Sequence, residues 1–391
     1  MRVFQFTEQP YPAAWLPEHE SLRVVLPSRI CDPDVASRLY ARYFDEWQIA
    51  DELGFDIMVN EHHATATCLS VSCTVTLGIL ARITKQARLL ALGVPLGQRT
   101  DPVRVAEELS MIDVISRGRL EMGFVKGVPY EIPISNANPV GLMNRLWEGH
   151  DLIVKAMTSH DGPFNWESRY FQYRNVNVWP RPFQWPHPPV WITATSPGSV
   201  RAVAERGHIV ATFMTGYAAK DVFANYRHAW REARGSEAST DRFAYMALAA
   251  VASTHDAAFK RADKVAGYLR TLGWVPPGHS NPPGYISPQD NVRALRQGMR
   301  RPLIGRSGKT VDMSRASVEE LIDAGLMFAG TPNEVYDQIA DYADAIGGLG
   351  NLMIMGQAGH VDHDETVDTL RLFGTEVLPR LKELYPTQMA A

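Results

Sequence analysis

The 391-residue sequence predicts a (β/α)8 barrel of the TIM type, and three observations carry that expectation. Short apolar runs rich in β-branched residues alternate with longer amphipathic stretches from end to end. The short runs are apolar throughout, the pattern of a parallel sheet covered on both faces. Eight such strand–helix units fill the chain, and "FQFTEQPYP" after the first strand lacks the glycine fingerprint of an open dinucleotide-binding sheet.

In order, the expected strands are Val3–Thr7, Asp56–Asn60, Arg88–Val94, Leu120–Val125, Val190–Thr195, Ile209–Met214, Phe243–Val251 and Asn351–Met355. Helical periodicity marks Asp34–Leu53, Ser70–Thr84, Pro102–Ile115, Pro139–Met157, Ser199–Arg206, Ala219–Ala233, Asp256–Leu272, Pro332–Ile346 and Thr366–Leu384. Asp101-Pro102 reads as an N-cap with proline at the first helical position, and Thr331-Pro332 repeats the device. Gly54 and Gly207 stand where a helix must stop and turn into a strand. Two stretches break the rhythm of a single domain spanning 1–391. One, about 159–189, follows strand four and is rich in Trp, Pro and Arg; the other, about 273–318, follows strand seven. Insertions of this length in a barrel serve as lids, substrate-binding elements or interface pads, and 273–318 is the lid candidate.

The 45% hydrophobic and 21% charged content is that of a soluble globular protein. A net charge of −4 and the lack of a basic block interleaved with aromatics argue against nucleic acid as a partner. No window reaches roughly 18 apolar residues, so no membrane span is expected. The start, "MRVFQFTEQP", lacks the apolar core of a signal peptide. With only Cys31, Cys68 and Cys73, a disulfide framework is not expected, and a reducing cytoplasm is.

The chemistry-bearing residues fall after strands. "IMVNEHHATATC" runs from an apolar strand into Glu61, His62 and His63. Three adjacent titratable groups suit a solvated loop or the rim of an active site; in a barrel of this kind the carboxyl ends of the strands carry the chemistry, which favours the rim. Arg104 lies in the first turn of the helix after strand three, and the glycine-flanked Lys126, with Tyr130 nearby, follows strand four. After strand five, Thr195, Ser196, Gly198 and Ser199 open a helix. Backbone N–H groups, the dipole and several hydroxyls can there meet one phosphate, more than a simple N-cap requires.

Four segments, "ADELGFDIMVNEHH", "DPVRVAEELSMIDVISRGRLEMGFVKG", "PVWITATSPGSVRAVAERG" and "FAGTPNEVYDQIADYA", together resemble the bacterial luciferase-like, flavin-dependent monooxygenases over most of the chain. The resemblance implies reduced FMN supplied by a separate NAD(P)H-dependent flavin reductase. It implies O2 as co-substrate, adding to the flavin to give a C4a-(hydro)peroxide that oxygenates a small organic substrate. It makes His62 a catalytic residue beside the flavin ring, sets Arg104 on the flavin phosphate, and makes Thr195, Ser196 and Ser199 the phosphate-binding turn. The family's non-proline cis peptide is expected within Leu92–Val94, bringing Gly93 to the cofactor. Lys126 stands where the family commonly has an arginine, facing cofactor or acidic substrate. His63 is either a second catalytic contact or a residue that orients the loop, and Glu61 braces them. A histidine titrating near neutrality suits proton transfer, and a reactive flavin–oxygen adduct requires a lid against water. A homodimer is implied as well.

Rival readings are an F420-dependent hydride-transfer dehydrogenase on the same barrel, a non-catalytic flavin-binding protein and a metal-dependent hydrolase. The last needs His and Asp ligands on several strands, and only strand two supplies them, so no metal is expected. "GRSGKT", Gly305 to Thr310, lacks the first glycine and preceding strand of a phosphate loop. His360 and His363 lack further ligands; Asp362 reads as a helix cap, and His360 could line the pocket. The aromatic content of the insertions points to an organic substrate larger than a short alkanal.

Overall fold

The computed structural model describes residues 1–194, 199–271, 275–289, 292 and 303–386. Eight parallel strands close a barrel: β1 (Arg2–Phe6), β2 (Asp56–Val59), β3 (Leu89–Val94), β4 (Leu120–Phe124), then β7 (Val190–Thr193), β8 (Ile209–Phe213), β9 (Phe243–Val251) and β13 (Asn351–Met355). The closing contact is β1 on β13, with Arg2 opposite Asn351. Between β4 and β7 lies an antiparallel hairpin, β5 (Phe164–Glu167) and β6 (Gln172–Val176), within the first insertion. A second hairpin, β10 (Leu303–Ile304) and β11 (Thr310–Val311), lies in the second.

Alternation of side chains across each strand divides two apolar clusters. Phe4, Phe6, Met58, Leu90, Leu92, Trp191, Met246 and Leu248 fill the barrel interior. Val3, Ile57, Val59, Leu89, Ala91, Met122 and Phe124 face outward against the helices. Because both faces are buried, the strands show no polar alternation in sequence. The helices meet them along single faces: in α1 (Pro33–Glu52), Tyr43, Trp47 and Ala50 are buried, and Gly54 ends it at φ +82°. Asp32 caps α1, its carboxylate accepting from Asp34 N–H at 2.8 Å. Gly207, at φ +77°, performs the stop predicted for it.

Three local expectations differ. A ninth strand, β12 (Met327–Gly330), pairs with the carboxyl half of β9, and Leu248 stands between Met327 of β12 and Met355 of β13. Four apolar residues between two helices are too short a periodic signal to distinguish from a helix lead-in. Asp101 makes no cap to α3 (Pro102–Ser116); its carboxylate turns to Arg99 at 3.3 Å. Thr331 and Pro332 do form as expected, Thr331 at the N-cap and Pro332 at the first helical position, with the Glu334 carboxylate returning to accept the Thr331 N–H at 2.7 Å. The expected helix Thr366–Leu384 is divided by a π-turn at Phe373–Val377, just before Pro379, which has no N–H to continue the ladder. "GRSGKT" forms the turn between β10 and β11, with Gly305 N–H donating to the Lys309 carbonyl at 2.8 Å.

At the amino end of the barrel a buried ion cluster joins three strands. Glu121, 1% exposed, accepts from Arg88 Nε–H at 2.8 Å and from Trp191 Nε1–H at 2.6 Å, and forms an ion pair with Arg2 at 2.8 Å. Arg2 also meets Asp56 at 2.9 Å. Burial raises the Glu121 carboxyl, but the two guanidinium groups more than offset it and the pKa ends below the usual range. Removing one partner of such a cluster strands buried charge. Glu121→Ala is therefore expected to lose about 3–5 kcal/mol of stability, read as a lower urea midpoint with unchanged oxygen-independent properties such as cavity ligand affinity. A change under about 1 kcal/mol would contradict this role.

Candidate active site

A cavity of about 700 Å³ opens at the carboxyl ends of the strands. It is lined by Glu8 beyond β1, Asn60, Glu61 and His62 beyond β2, and Gly93 and Pro95 at β3. Val125, Lys126 and Glu131 contribute from beyond β4, and Thr193, Ala194 and Ser199 from the end of β7. Much of the remaining wall is apolar, including Met58, Leu92, Met143 and Met246.

His62 lies in it between two carboxylates. Its Nδ1 lies 2.9 Å from Glu131 Oε1, and its Nε2 lies 3.8 Å from Glu8 Oε1. Tyr130 stacks beside the ring at a centroid distance of 6.4 Å, its hydroxyl 3.4 Å from Nδ1 and accepting from the buried Arg23. Glu131 is 1% exposed, and the same Oε1 accepts the His63 N–H at 2.9 Å. Burial alone lowers the His62 pKa. The hydrogen bond with Glu131 and the charges of Glu8 and Glu131 outweigh it, so the imidazole titrates above its ordinary value.

His63 points elsewhere and does not line the cavity. Its Nε2 sits 3.3 Å from Glu61 Oε1, and that contact raises its pKa. Glu61 Oε2 accepts the Cys73 N–H at 3.1 Å at the start of α2 (Cys73–Ile83), and Arg99 lies 3.7 Å from Oε1. Burial raises the Glu61 carboxyl, but His63, Arg99 and the Cys73 N–H together bring it below its usual range. Glu61 and His63 thus brace the loop that presents His62. Cys68 and Cys73 are buried and their thiols pushed up by burial, as packing residues are.

The Leu92–Gly93 peptide is cis, within the predicted interval. A side chain at Gly93 would meet Val125 Cγ1 at 2.7 Å and the Gly123 carbonyl at 3.0 Å, so only glycine fits. Lys126 reaches the second insertion: its ammonium lies 3.5 Å from the Tyr285 ring centroid and donates to the Tyr285 carbonyl at 3.1 Å. The Tyr285 hydroxyl donates back to Gly127 O at 3.2 Å, and burial pushes its pKa up to about 12. Tyr285 of the second insertion thus forms part of the cavity wall. Thr195 and Ser196 lie outside the described residues; Ser199, beyond them, reaches the cavity.

Two sequence candidates stand away from it. Arg104 is exposed on the outer face of α3, drawn to Glu108 at 3.1 Å and Glu107 at 3.4 Å one helical turn on, and does not line the cavity. His360 packs edge-on against Trp15 and is not among the lining residues either. No residue of 159–189 lines the cavity. Glu8, Glu131, Arg23 and Tyr268 were not singled out from the sequence. Glu8 and Glu131 had a usable signal, since each follows a strand at its carboxyl end. Arg23 and Tyr268 had none, because loop and helix bring them in from distant segments. Among the described residues no group of three or more His, Cys, Asp or Glu side chains is arranged to hold a metal.

The profile of the luciferase-like monooxygenase family matches residues 22–347, and the chain belongs to that family. An uncharacterised protein of Sinorhizobium fredii is 32% identical over 201 residues, 49% of this chain and 58% of that protein. The oxygenase component of a flavin-dependent trigonelline monooxygenase from Acinetobacter baylyi is 28% identical over 183 residues, 46% of this chain and 50% of that protein. The matched stretches thus span 58% and 50% of the length of these relatives. Among solved structures, the oxygenating constituent of 3,6-diketocamphane monooxygenase of Pseudomonas putida, in complex with FMN, has a TM-score of 0.73 at 20% identity, covering 97% of this chain and 98% of that one. An F420-dependent secondary alcohol dehydrogenase has a TM-score of 0.61 at 15% identity, covering 86% and 93%. These likenesses establish the fold.

Because Glu131 holds the His62 Nδ1–H, Glu131→Gln is expected to move the His62 titration, followed by imidazole NMR, to lower pH. In the unsubstituted protein it should lie above the ordinary value of about 6.5. A His62 titration indifferent to Glu131 would show that the hydrogen bond does not govern it.

Proposed function

We propose that the chain is the oxygenase of a two-component monooxygenase that takes reduced FMN from a separate NAD(P)H-dependent flavin reductase and inserts one atom of O2 into a small organic substrate. The observation that carries this reading is the placement of His62, gripped by Glu131 and facing Glu8, in one cavity with Gly93 and Ser199. That cavity fits a flavin: its volume is ample, its walls are largely apolar, and Ser199 is part of its lining. Ser199, with Thr195 and Ser196, would hold the phosphate, and Gly93 and Val125 would lie along the ring. The chemistry supplied by bound reduced FMN is activation of dioxygen for transfer of one atom.

The chain's own residues would set the conditions. With Nδ1 committed to Glu131, Nε2 is the His62 atom left to move a proton. Tyr285, anchored on Lys126 and Gly127, excludes water from one side. The role falls to a reducing cytoplasm, where NAD(P)H is available; among the described residues no helix is long and apolar enough to cross a membrane. Homodimerisation is also proposed: Val75 and Ile79 of α2 and Met111 and Ile115 of α3 are 65%, 42%, 49% and 44% exposed on adjacent helices. Val75→Glu should raise the monomer fraction in sedimentation equilibrium, and a wild-type monomer would remove this part.

The deciding measurement is anaerobic titration with reduced FMN and, separately, reduced F420, followed by admission of ¹⁸O2. The expected result is tight FMN binding and ¹⁸O in an organic product; tight binding of F420 alone would replace this reading with hydride transfer. His62→Ala should keep FMN affinity within roughly threefold yet divert most oxygen to hydrogen peroxide, a loss of about 10²-fold or more in coupled product. Unchanged coupling would remove His62 from the chemistry.

A further inference from the structure

Glu8 is 6% exposed, lines the cavity, and has one oxygen accounted for. Tyr268, buried in the helix His255–Thr271, donates its hydroxyl to Oε1 at 2.5 Å. Oε2 has no hydrogen-bond partner among the described residues. A buried carboxylate oxygen left in that state is costly unless something else satisfies it.

The other acids at the cavity are answered from within the protein. Glu131 is held by His62 and the His63 N–H; Glu61 Oε2 accepts the Cys73 N–H, and its Oε1, though without a hydrogen bond, lies in ion pairs with His63 and Arg99. The Lys126 ammonium is turned onto Tyr285. Arg23 is a buried cation close enough for its charge to act on Glu8, but its guanidinium donates to the Tyr130 hydroxyl. It lessens the negative charge without filling the vacant acceptor.

Resting on the oxygenase reading above, we infer that Glu8 Oε2 binds the substrate, and that the substrate carries a positively charged nitrogen on an organic skeleton. A charge-assisted contact is the strong form of hydrogen bond in a water-poor cavity. Phe6, Met58 and Met246 provide an apolar wall for the carbon framework. Glu8 sits 3.8 Å from the His62 Nε2, so a nitrogen held there fixes the skeleton beside the group that moves the proton. A site built around such a contact discriminates sharply against neutral analogues, because they leave the acceptor empty.

The test uses matched probes: benzylammonium against benzyl alcohol, and N-methylpyridinium against toluene, titrated calorimetrically into the full-length protein with and without FMN. FMN affinity is measured in parallel by fluorescence quenching. In at least one pair the cation should bind about tenfold or more tightly than its neutral partner. Glu8→Gln should abolish that preference while leaving FMN affinity within about threefold. If Glu8→Gln does not fold, Glu8→Asp, which keeps the charge but withdraws it by one methylene, should weaken the cation selectively. Pairs that bind alike, a preference that survives Glu8→Gln, or one undiminished in Glu8→Asp, overturn the inference even where FMN binds. A Glu8-dependent preference in protein that binds no FMN upholds the inference and defeats the oxygenase reading instead.

Discussion

The carboxylate of Glu131 is the constraint on which the site turns. One buried oxygen accepts both the His62 Nδ1–H and the His63 backbone N–H, joining the loop after β4 to the loop after β2. That pair of bonds sets the ring plane and leaves Nε2 toward Glu8. It also reverses the effect of burial on the imidazole: a histidine in a largely apolar cavity would titrate low, and this one titrates high. Without Glu131, His62 would be a half-buried side chain on a loop.

The barrel makes such a meeting possible because parallel strands deliver all their following loops to one end. Charged residues are then sorted by end. At the amino end, Arg2, Arg88, Asp56 and Glu121 neutralise one another. At the carboxyl end, Glu8, Glu61, Glu131 and His62 are held in a network in which Glu8 Oε2 has neither hydrogen bond nor ion pair among the described residues. The first arrangement satisfies its charges internally; the second leaves a place for something that is not part of the chain.

Legibility in sequence followed the range of each interaction. Helix stops at Gly54 and Gly207 and the cap at Asp362 involve neighbours a few residues away, and they form as expected. Asp101 has the same local credentials, yet Arg99 competes for it and the cap is lost. Glu-His-His could be placed on the rim from strand position alone. Which histidine faces the cavity could not, since Glu61 and Glu131 decide it across 2 and 68 or more residues of chain. Arg104 went the other way: a family pattern assigned it to the cofactor, while Glu107 and Glu108, one turn along the same helix, hold it in solvent.

By itself the sequence determined the succession of strands and helices, the parallel sheet they imply, and the end of the barrel at which the titratable residues would lie. Those properties arise from periodicity and from contacts within a turn or two, which a linear pattern records. Tertiary structure alone decided the ninth strand beside β9, the inward and outward faces of uniformly apolar strands, and the union of Glu8, His62, Glu131 and Tyr268. Each depends on groups far apart in the chain, whose distance and desolvation exist only once the barrel has closed.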